Sequence, residues 1–125
     1  MLSLCEDIKA CAEPDCQLFN YANPMAMMTW AARAYGAVDA TGLCHGVQGG
    51  HHLIAQALGV AKDDVSIVCA GINHQTWYTD VRYQGKDMTS SLLAAMEQHP
   101  RISQQEKVRI DMLRRFGYFS TESNG

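Results

Sequence analysis

The sequence predicts an α/β fold that begins with a parallel sheet, and three observations support this. Short apolar runs alternate with segments of helical period up to residue 74, which is the pattern of parallel βα units. Polar side chains stand where each apolar run ends. After residue 74 the pattern becomes that of a half-exposed strand followed by two helices. A second structural layer is therefore expected to begin near residue 75.

The elements of the first part follow from apolar spacing and from residues that end helices or strands. Leu4 and Ile8 share one face of a first helix, which Pro14 ends. Pro24 ends the first strand, and Gly36 is expected to cap the second helix. The predicted elements are a helix at 2–12, a strand at 16–23, a helix at 25–36, a strand at 37–44, a helix at 47–58 and a strand at 65–72.

Polar side chains follow all three predicted strands. Asn23 ends the first strand, Cys44 and His45 end the second, and Asn73 and His74 end the third. The carboxyl ends of parallel strands meet at one edge of a sheet, and ligands bind there. We therefore predict a small-molecule or metal site at that edge.

Residues 75–125 are predicted to add one strand and two helices. The strand alternates two sets of side chains, Trp77, Thr79, Val81 and Tyr83 against Tyr78, Asp80 and Arg82. The helices are expected at about 89–98, before Pro100, and at about 103–116, before Gly117.

Both predicted helices carry apolar faces that need packing partners, and residues 1–125 are not expected to supply all of them. The residues of these faces are Leu92, Leu93 and Met96 in the first helix and Val108, Met112 and Phe116 in the second. The basic residues of the second helix are expected to form a solvated face: Lys107, Arg109, Arg114 and Arg115.

Composition excludes several classes of protein. The net charge is −3 and no basic patch stands out, so a general nucleic-acid binder is not expected. No segment reaches the ~20 apolar residues of a membrane helix, and the first ten residues do not resemble a signal peptide. Five scattered cysteines without a paired CxxC fit reduced thiols in the cytoplasm.

Cys44 and His74 are the candidate metal ligands. A thiolate and an imidazole suit Mn²⁺, Fe²⁺, Co²⁺, Ni²⁺ or Zn²⁺ better than Ca²⁺. Two protein ligands leave positions for substrate or water, as in an open catalytic site. Taken one at a time, a buried free cysteine and a core histidine are the commoner explanation, so the residues alone leave both interpretations open.

The remaining polar residues of "GLCHGVQGGHH" allow several roles. His45 could be a ligand, a general acid or a histidine bonded to backbone. Neighbouring residues of a strand point to opposite faces, so Cys44 and His45 should not share a metal unless the strand has already ended. His51 and His52 are expected at the surface. The glycines at 46, 49 and 50 only loosely resemble a phosphate loop and match neither GxGxxG nor a Walker A loop.

Four motifs carry a resemblance to a known family. In this order the segments "NYANPMAM", "GLCHGVQGG", "CAGINHQTWY" and "RRFGYFSTES" resemble the NAD- and Mn²⁺-dependent glycoside hydrolases of family 4, most closely the α-galactosidase and α-galacturonidase branch. The resemblance covers essentially the whole chain. It implies that 1–74 is the distal part of a Rossmann-like NAD-binding domain. It also implies that 75–125 begins an α/β domain like that of lactate and malate dehydrogenases.

The resemblance also implies roles for individual residues. Asn23 matches a substrate-binding asparagine, and Asn73 would contact sugar hydroxyls. Cys44 and His74 match the two protein ligands of Mn²⁺ or another divalent metal, and His45 takes the position of a proposed general acid. The glycines of "GLCHGVQGGHH" would let the chain turn close to cofactor and sugar. The implied cofactor is NAD, the implied substrate an α-galactoside or α-galacturonide, and the implied assembly a homo-oligomer, dimer or tetramer, of the full-length protein.

The chemistry implied by the resemblance differs from hydrolysis by two carboxylates. NAD⁺ would take a hydride from C3 of the sugar, after which a base removes the C2 proton and the glycosidic oxygen leaves. Water then adds and the hydride returns. The NAD loop and the base are expected outside residues 1–125, so this chain is expected to be a central fragment with little turnover alone.

Two other interpretations remain open at this stage. A hydroxy-acid dehydrogenase of the lactate and malate type would share the fold, although it needs no metal-binding cysteine. A non-enzymatic metal-binding or interaction module would instead use the helix faces after residue 89 as an oligomer interface.

Overall fold

The computed structural model describes residues 1–121 and contains two compact units, Met1–Cys44 and a second unit that begins at His45. Parallel strands form one sheet and antiparallel strands the other, so the predicted α/β class is confirmed. The last two residues of "RRFGYFSTES" and the end of the predicted range 75–125 lie outside the described residues. The predicted boundary at residue 75 concerns domains of the larger fold and stays a prediction.

The first unit contains the two helices and two strands that the sequence predicts. The elements are α1 (Leu2–Cys11), β1 (Leu18–Asn20), α2 (Met25–Ala34) and β2 (Ala40–Gly42). Strands β1 and β2 pair in parallel and are shorter than predicted. Cys5, Ala32, Val38 and Ala40 form the core.

Gly36 does not cap α2 in the way predicted. Tyr35, the residue directly after the helix, keeps a right-handed conformation, and the positive φ falls on Ala37. Gly36 packs against α1 instead, because a Cβ at this position would lie 2.5 Å from the Sγ of Cys5. The requirement for glycine is therefore one of close packing.

The second unit contains four helices and four strands within the described residues. The elements are α3 (His45–Leu58), a 3₁₀ turn (Lys62–Asp64), β3 (Val65–Ile72), β4 (Gln75–Tyr83), β5 (Lys86–Asp87), α4 (Thr89–Gln98), α5 (Ile102–Gln105), α6 (Lys107–Phe116) and β6 (Phe119–Ser120). All strand pairs in this sheet are antiparallel, with β4 pairing with β3, β5 and β6.

The prediction that β3 is a third parallel strand is wrong. Its bounds, Val65–Ile72, are those predicted, but β3 pairs antiparallel with β4. Only Asn73 and His74 connect the two strands. Such a short connection can form a hairpin, whereas parallel neighbours need a crossover of about a dozen residues or more.

The predicted alternation of β4 is interrupted by a bulge at Thr79. The pairing passes from Val68 with Asp80 directly to Cys69 with Tyr78, which leaves Thr79 without a residue opposite it. The inward face therefore changes from even to odd positions, and both Tyr78 and Val81 are fully buried.

The core of the second unit forms between the helices and the sheet. Its largest fully buried side chains include Ile54, Tyr78, Val81, Leu92, Met96 and Phe119. The predicted apolar face of α4 is therefore inside. On α6 the inward face is formed by Arg109, Ile110 and Leu113. Val108 and Phe116, from the face that was expected to need partners, are exposed.

The basic residues of α6 divide into two groups. Lys107, Arg114 and Arg115 are exposed as predicted, and both arginines pair with Asp111. Arg109 is buried, because Glu106 one turn earlier supplies a carboxylate to its guanidinium. Gly117 ends the helix in the left-handed conformation, with φ at 79°, as predicted. None of the helices formed by residues 1–121 has the length and apolar character needed to cross a membrane.

Candidate functional site

Asn23 lies in an exposed loop that Asn20 holds in place. Asn20 ends β1, and its side chain is buried. Its Nδ2 donates hydrogen bonds to the carbonyl of Met25 and to Oγ1 of Thr29, each at 3.1 Å. Its Oδ1 accepts the amide N–H of Ala22 at 3.1 Å. One amide side chain therefore joins both ends of the loop around Asn23.

Cys44 follows the neighbouring strand at the same edge of the first sheet. Asn20 pairs with Gly42, and the amide of Leu43 donates to the carbonyl of Asn20 at 2.9 Å. The loops that carry Asn23 and Cys44 therefore leave the carboxyl ends of two paired parallel strands, as the sequence predicts. Cys44 is partly buried.

Asn73 and His74 form the turn between β3 and β4 in the second unit. His74 is exposed and Asn73 is partly buried. The peptide bonds Asn23–Pro24 and Asn73–His74 are both cis. The predicted convergence of three strand ends on one parallel sheet does not extend to this turn, because β3 belongs to the antiparallel sheet.

Thr121 holds the turn at Asn73 and His74 from behind. Its hydroxyl donates to the carbonyl of His74 at 2.9 Å and accepts the amide N–H of Thr76 at 3.0 Å. The side chain of Gln75, the next residue after the turn, has a buried Nε2 that finds no hydrogen-bond partner among the described residues. An unpaired buried donor is uncommon, and binding sites are one place where it occurs.

His45 begins α3, and the strand before it has already ended at Gly42. Cys44 and His45 therefore do not lie on a strand, so opposite strand faces do not separate them. His45 is exposed. Its position at the start of a helix leaves open the roles of general acid and of ligand.

The glycines after His45 do not form the predicted turn near the cofactor, because all three lie inside α3. Gly50 instead lets the helix approach β4, where the hydroxyl of Tyr78 donates to the carbonyl of Val47 at 2.6 Å. The prediction that His51 lies at the surface is wrong. His51 is partly buried, and its Nε2 bonds to the carbonyl of Val65 at 2.7 Å. His52 is exposed as predicted.

The candidate metal ligands fit a divalent transition metal by the chemistry of their donors. Cys44 supplies sulfur and His74 supplies an imidazole nitrogen, a mixture that Mn²⁺, Fe²⁺ and Zn²⁺ accept. Within residues 1–121, no cluster of three or more His, Cys, Asp or Glu side chains is arranged to hold a metal ion. Any metal held by these two residues therefore needs further ligands from substrate, water or other protein groups.

Two related sequence profiles match nearly the whole chain. Residues 1–60 match the profile described as "Family 4 glycosyl hydrolase". Residues 69–125 match the profile described as "Family 4 glycosyl hydrolase C-terminal domain". The second half of the chain therefore continues into the region that the family assigns to its C-terminal domain.

Two curated relatives are α-galactosidases. The enzyme of Rhizobium meliloti is 56% identical over 100% of this chain, and that of Bacillus subtilis is 34% identical over 89%. The chain spans 26% of the length of each. It is thus similar to about a quarter of each relative.

Solved structures share the fold. A 6-phospho-alpha-glucosidase from gut microorganisms in complex with NAD and glucose-6-phosphate superposes with a TM-score of 0.80 and 19% identity, over 95% of this chain and 31% of that one. A second structure of that name, in complex with NAD and Mn²⁺, gives a TM-score of 0.73 and 19% identity over 96% and 31%. At this identity the likeness concerns the fold alone.

Proposed function

Because this chain belongs to glycoside hydrolase family 4, we propose that it contributes to hydrolysis of α-galactosides, with NAD and a divalent metal, Mn²⁺ first among them, as cofactors. The observation that carries the proposal is the 56% identity with an α-galactosidase along the whole chain. The structures of related proteins with NAD and Mn²⁺ support the choice of cofactors. The five cysteines are free thiols, which suits the cytoplasm, where we propose that the protein works.

We propose that Cys44 and His74 hold the metal. The support is their match to the family motifs, their donor chemistry and, for Cys44, its position directly after a strand end. When bound, the metal supplies Lewis acidity at the sugar oxygens, and NAD supplies reversible oxidation at a sugar carbon. The role of the protein is then to present one thiolate and one neutral imidazole to the metal.

The two asparagines are proposed to orient the sugar. A primary amide offers both a donor and an acceptor, so Asn23 and Asn73 can each bond to adjacent sugar hydroxyls. Asn23 is exposed in a loop whose backbone Asn20 fixes. A side chain on a fixed backbone loses less conformational entropy when it binds a ligand.

His45 is proposed to donate a proton to the leaving glycosidic oxygen. A histidine ring nitrogen can carry a proton and donate it to an oxygen. Its exposed position at the first residue of α3 leaves room for a leaving group.

The test uses the complete natural gene product. Hydrolysis of a nitrophenyl α-galactoside is measured with NAD⁺ and with increasing Mn²⁺, for the native protein and for Cys44→Ser. We expect native activity to require both cofactors and the variant to lose its response to Mn²⁺. Cys11→Ser is the matched control, because Cys11 is an exposed thiol outside the motifs. A Cys44→Ser protein that keeps its metal requirement would show that the ligand assignment is wrong.

The proposal extends to assembly and specificity. Size-exclusion chromatography of the same protein is expected to give a discrete dimer or tetramer. Parallel assays with α-galacturonides decide between the two sugars, and we expect faster hydrolysis of the α-galactoside.

A further inference from the structure

We propose that Thr121 is a positioning residue that fixes the turn formed by Asn73 and His74. The buried ion pair of Arg109 and Glu106 holds Thr121 in place. The proposal rests on the proposed function in one respect, namely that His74 is a metal ligand. Neither Thr121 nor the ion pair needs to touch metal or sugar for this role.

The hydroxyl of Thr121 connects the two sides of the turn. It donates to the carbonyl of His74 at 2.9 Å and accepts from the amide of Thr76 at 3.0 Å. The amide of Thr121 also donates to the carbonyl of Thr76 at 2.8 Å. Three hydrogen bonds from one residue therefore fix the backbone directly at His74 and two residues beyond it.

Thr121 is itself held by a buried guanidinium. Nη1 of Arg109 donates to the carbonyl of Thr121 at 2.8 Å. Nη2 and Nε of the same side chain lie 2.6 and 2.7 Å from Oε2 of Glu106. The guanidinium also lies over the ring of Phe119, 5.1 Å from its centre. Arg109 thus uses all three nitrogens and cannot shift without breaking several contacts.

The energetics favour positioning over stability as the role of this ion pair. A buried pair must offset the desolvation of both charges, so replacing both partners by apolar residues is often neutral or stabilising. What the pair supplies is a defined direction, because a planar guanidinium fixes the carbonyl that it binds. Here that carbonyl belongs to Thr121, one hydrogen bond away from His74.

Metal ligands in proteins are generally supported by residues that do not themselves bind the metal. Groups behind a ligand fix its orientation, and their removal typically lowers metal affinity by about 10–100-fold. In this chain the support acts on the backbone of the proposed ligand residue, because Thr121 bonds to the carbonyl of His74 while the His74 side chain is exposed. We therefore expect loss of the Thr121 hydroxyl to weaken metal binding.

The experiment measures Mn²⁺ binding to the complete gene product by titration calorimetry, with Mn²⁺ as the only ligand. Thr121→Val removes the hydroxyl and keeps the shape, whereas Thr121→Ser keeps the hydroxyl. We expect the Kd for Mn²⁺ to rise about 10–100-fold in the first variant and to stay near the native value in the second. Thr79→Val is the matched control, because Oγ1 of Thr79 donates to the carbonyl of Val68 in the same hairpin, away from the turn.

A second variant covers the case in which Thr121→Val does not fold. The double variant Arg109→Met/Glu106→Leu replaces the ion pair with apolar residues of similar size, and we expect it to fold and to bind Mn²⁺ more weakly. A purely structural role would lower the melting temperature of the metal-free protein and leave the Kd of the folded fraction unchanged. That result, in either variant, would overturn the proposal.

His74→Ala separates the two levels of the reasoning. If it loses Mn²⁺ binding while Thr121→Val binds like the native protein, the positioning role is wrong and the proposed function stands. If His74→Ala binds Mn²⁺ like the native protein, His74 is no ligand, and both its ligand assignment and the positioning role of Thr121 are wrong.

Discussion

Replacing Gly50 by alanine is predicted to destabilise the second unit, although alanine is the better helix former. Gly50 lies in α3 where the helix meets β4. A Cβ at this position would lie 2.6 Å from Cζ of Tyr78, whereas ordinary van der Waals contact begins at 3.4 Å, and it would overlap the Tyr78 hydroxyl. Tyr78 is fully buried and cannot move aside into solvent, so the helix has to retreat.

The change in unfolding free energy follows from two destabilising contributions and one stabilising contribution. Overpacking of a core typically costs about 1–3 kcal/mol. Retreat of the helix also weakens the hydrogen bond from Tyr78 to the carbonyl of Val47, which contributes about 0.5–1.5 kcal/mol. The helix gains about 1 kcal/mol from the change of glycine to alanine. We therefore expect a net loss of about 2 kcal/mol of unfolding free energy.

The assay is urea denaturation followed by far-ultraviolet circular dichroism, and the chain offers a matched control. Gly49 precedes Gly50 in the same helix, and a Cβ there meets no atom within 4 Å. Gly49→Ala should therefore stabilise the protein by up to about 1 kcal/mol through helix propensity alone. Equal stability of the two alanine variants would refute the role given to the contact with Tyr78.

Three further predictions follow from local structure. Asn20→Ala should lower the unfolding free energy by about 1–3 kcal/mol in urea titrations, because buried hydrogen bonds are lost; an unchanged midpoint would contradict this. Burial raises the pKa of the Cys69 thiol, so at pH 8 iodoacetamide should label it more slowly than exposed Cys11; equal rates by peptide mass spectrometry would argue against it. The hydrogen bond from the amide N–H of Thr89 lowers the pKa of Asp87 below its ordinary value of 3.8. The charged carboxylate therefore stabilises the folded protein above pH 3.8, and this stabilisation is lost as the pH falls through the lower pKa of the folded state. The melting temperature of Asp87→Ala should thus lie below the native value at pH 7 and approach it in acid; a constant difference would be the contrary result.

Local periodicity predicted most elements, because it depends on few neighbouring residues. The bounds of β3 and the cap at Gly117 are those expected from apolar runs and glycine. Periodicity alone does not decide the pairing of β3, since an apolar run such as "VSIVCAGI" fits a parallel and an antiparallel neighbour equally well. The two-residue connection to β4 decides it, because parallel neighbours need a longer crossover. On α6 two stripes of helical period compete, and the sequence did not reveal that Glu106 would allow Arg109 to be buried.

The sequence predicted the positions of the candidate residues only where these residues follow strands of the parallel sheet. The structure confirms that Asn23 and Cys44 follow two paired parallel strands. The supporting roles of Asn20 and Thr121 were not predicted, although both residues lie inside the four family motifs. Thr121 binds the backbone at His74 and Thr76, more than forty residues away, and such partners leave no local pattern. A polar residue within a motif that has no assigned chemical role is the one signal that could have indicated them.

The two units present their proposed functional residues in the same manner. In each, a buried polar side chain bonds to the backbone of a loop, Asn20 in the first unit and Thr121 in the second. The residues that are proposed to bind a ligand, Asn23 and His74, are exposed. Loss of a buried hydrogen bond lowers the free energy of unfolding more than a change of an exposed side chain does. The backbone of each loop is therefore fixed, while the exposed side chains remain available for binding. Within each unit, rigidity of the backbone and freedom of the exposed side chain are thus supplied by different residues, which lowers the entropy that an outward side chain loses on binding.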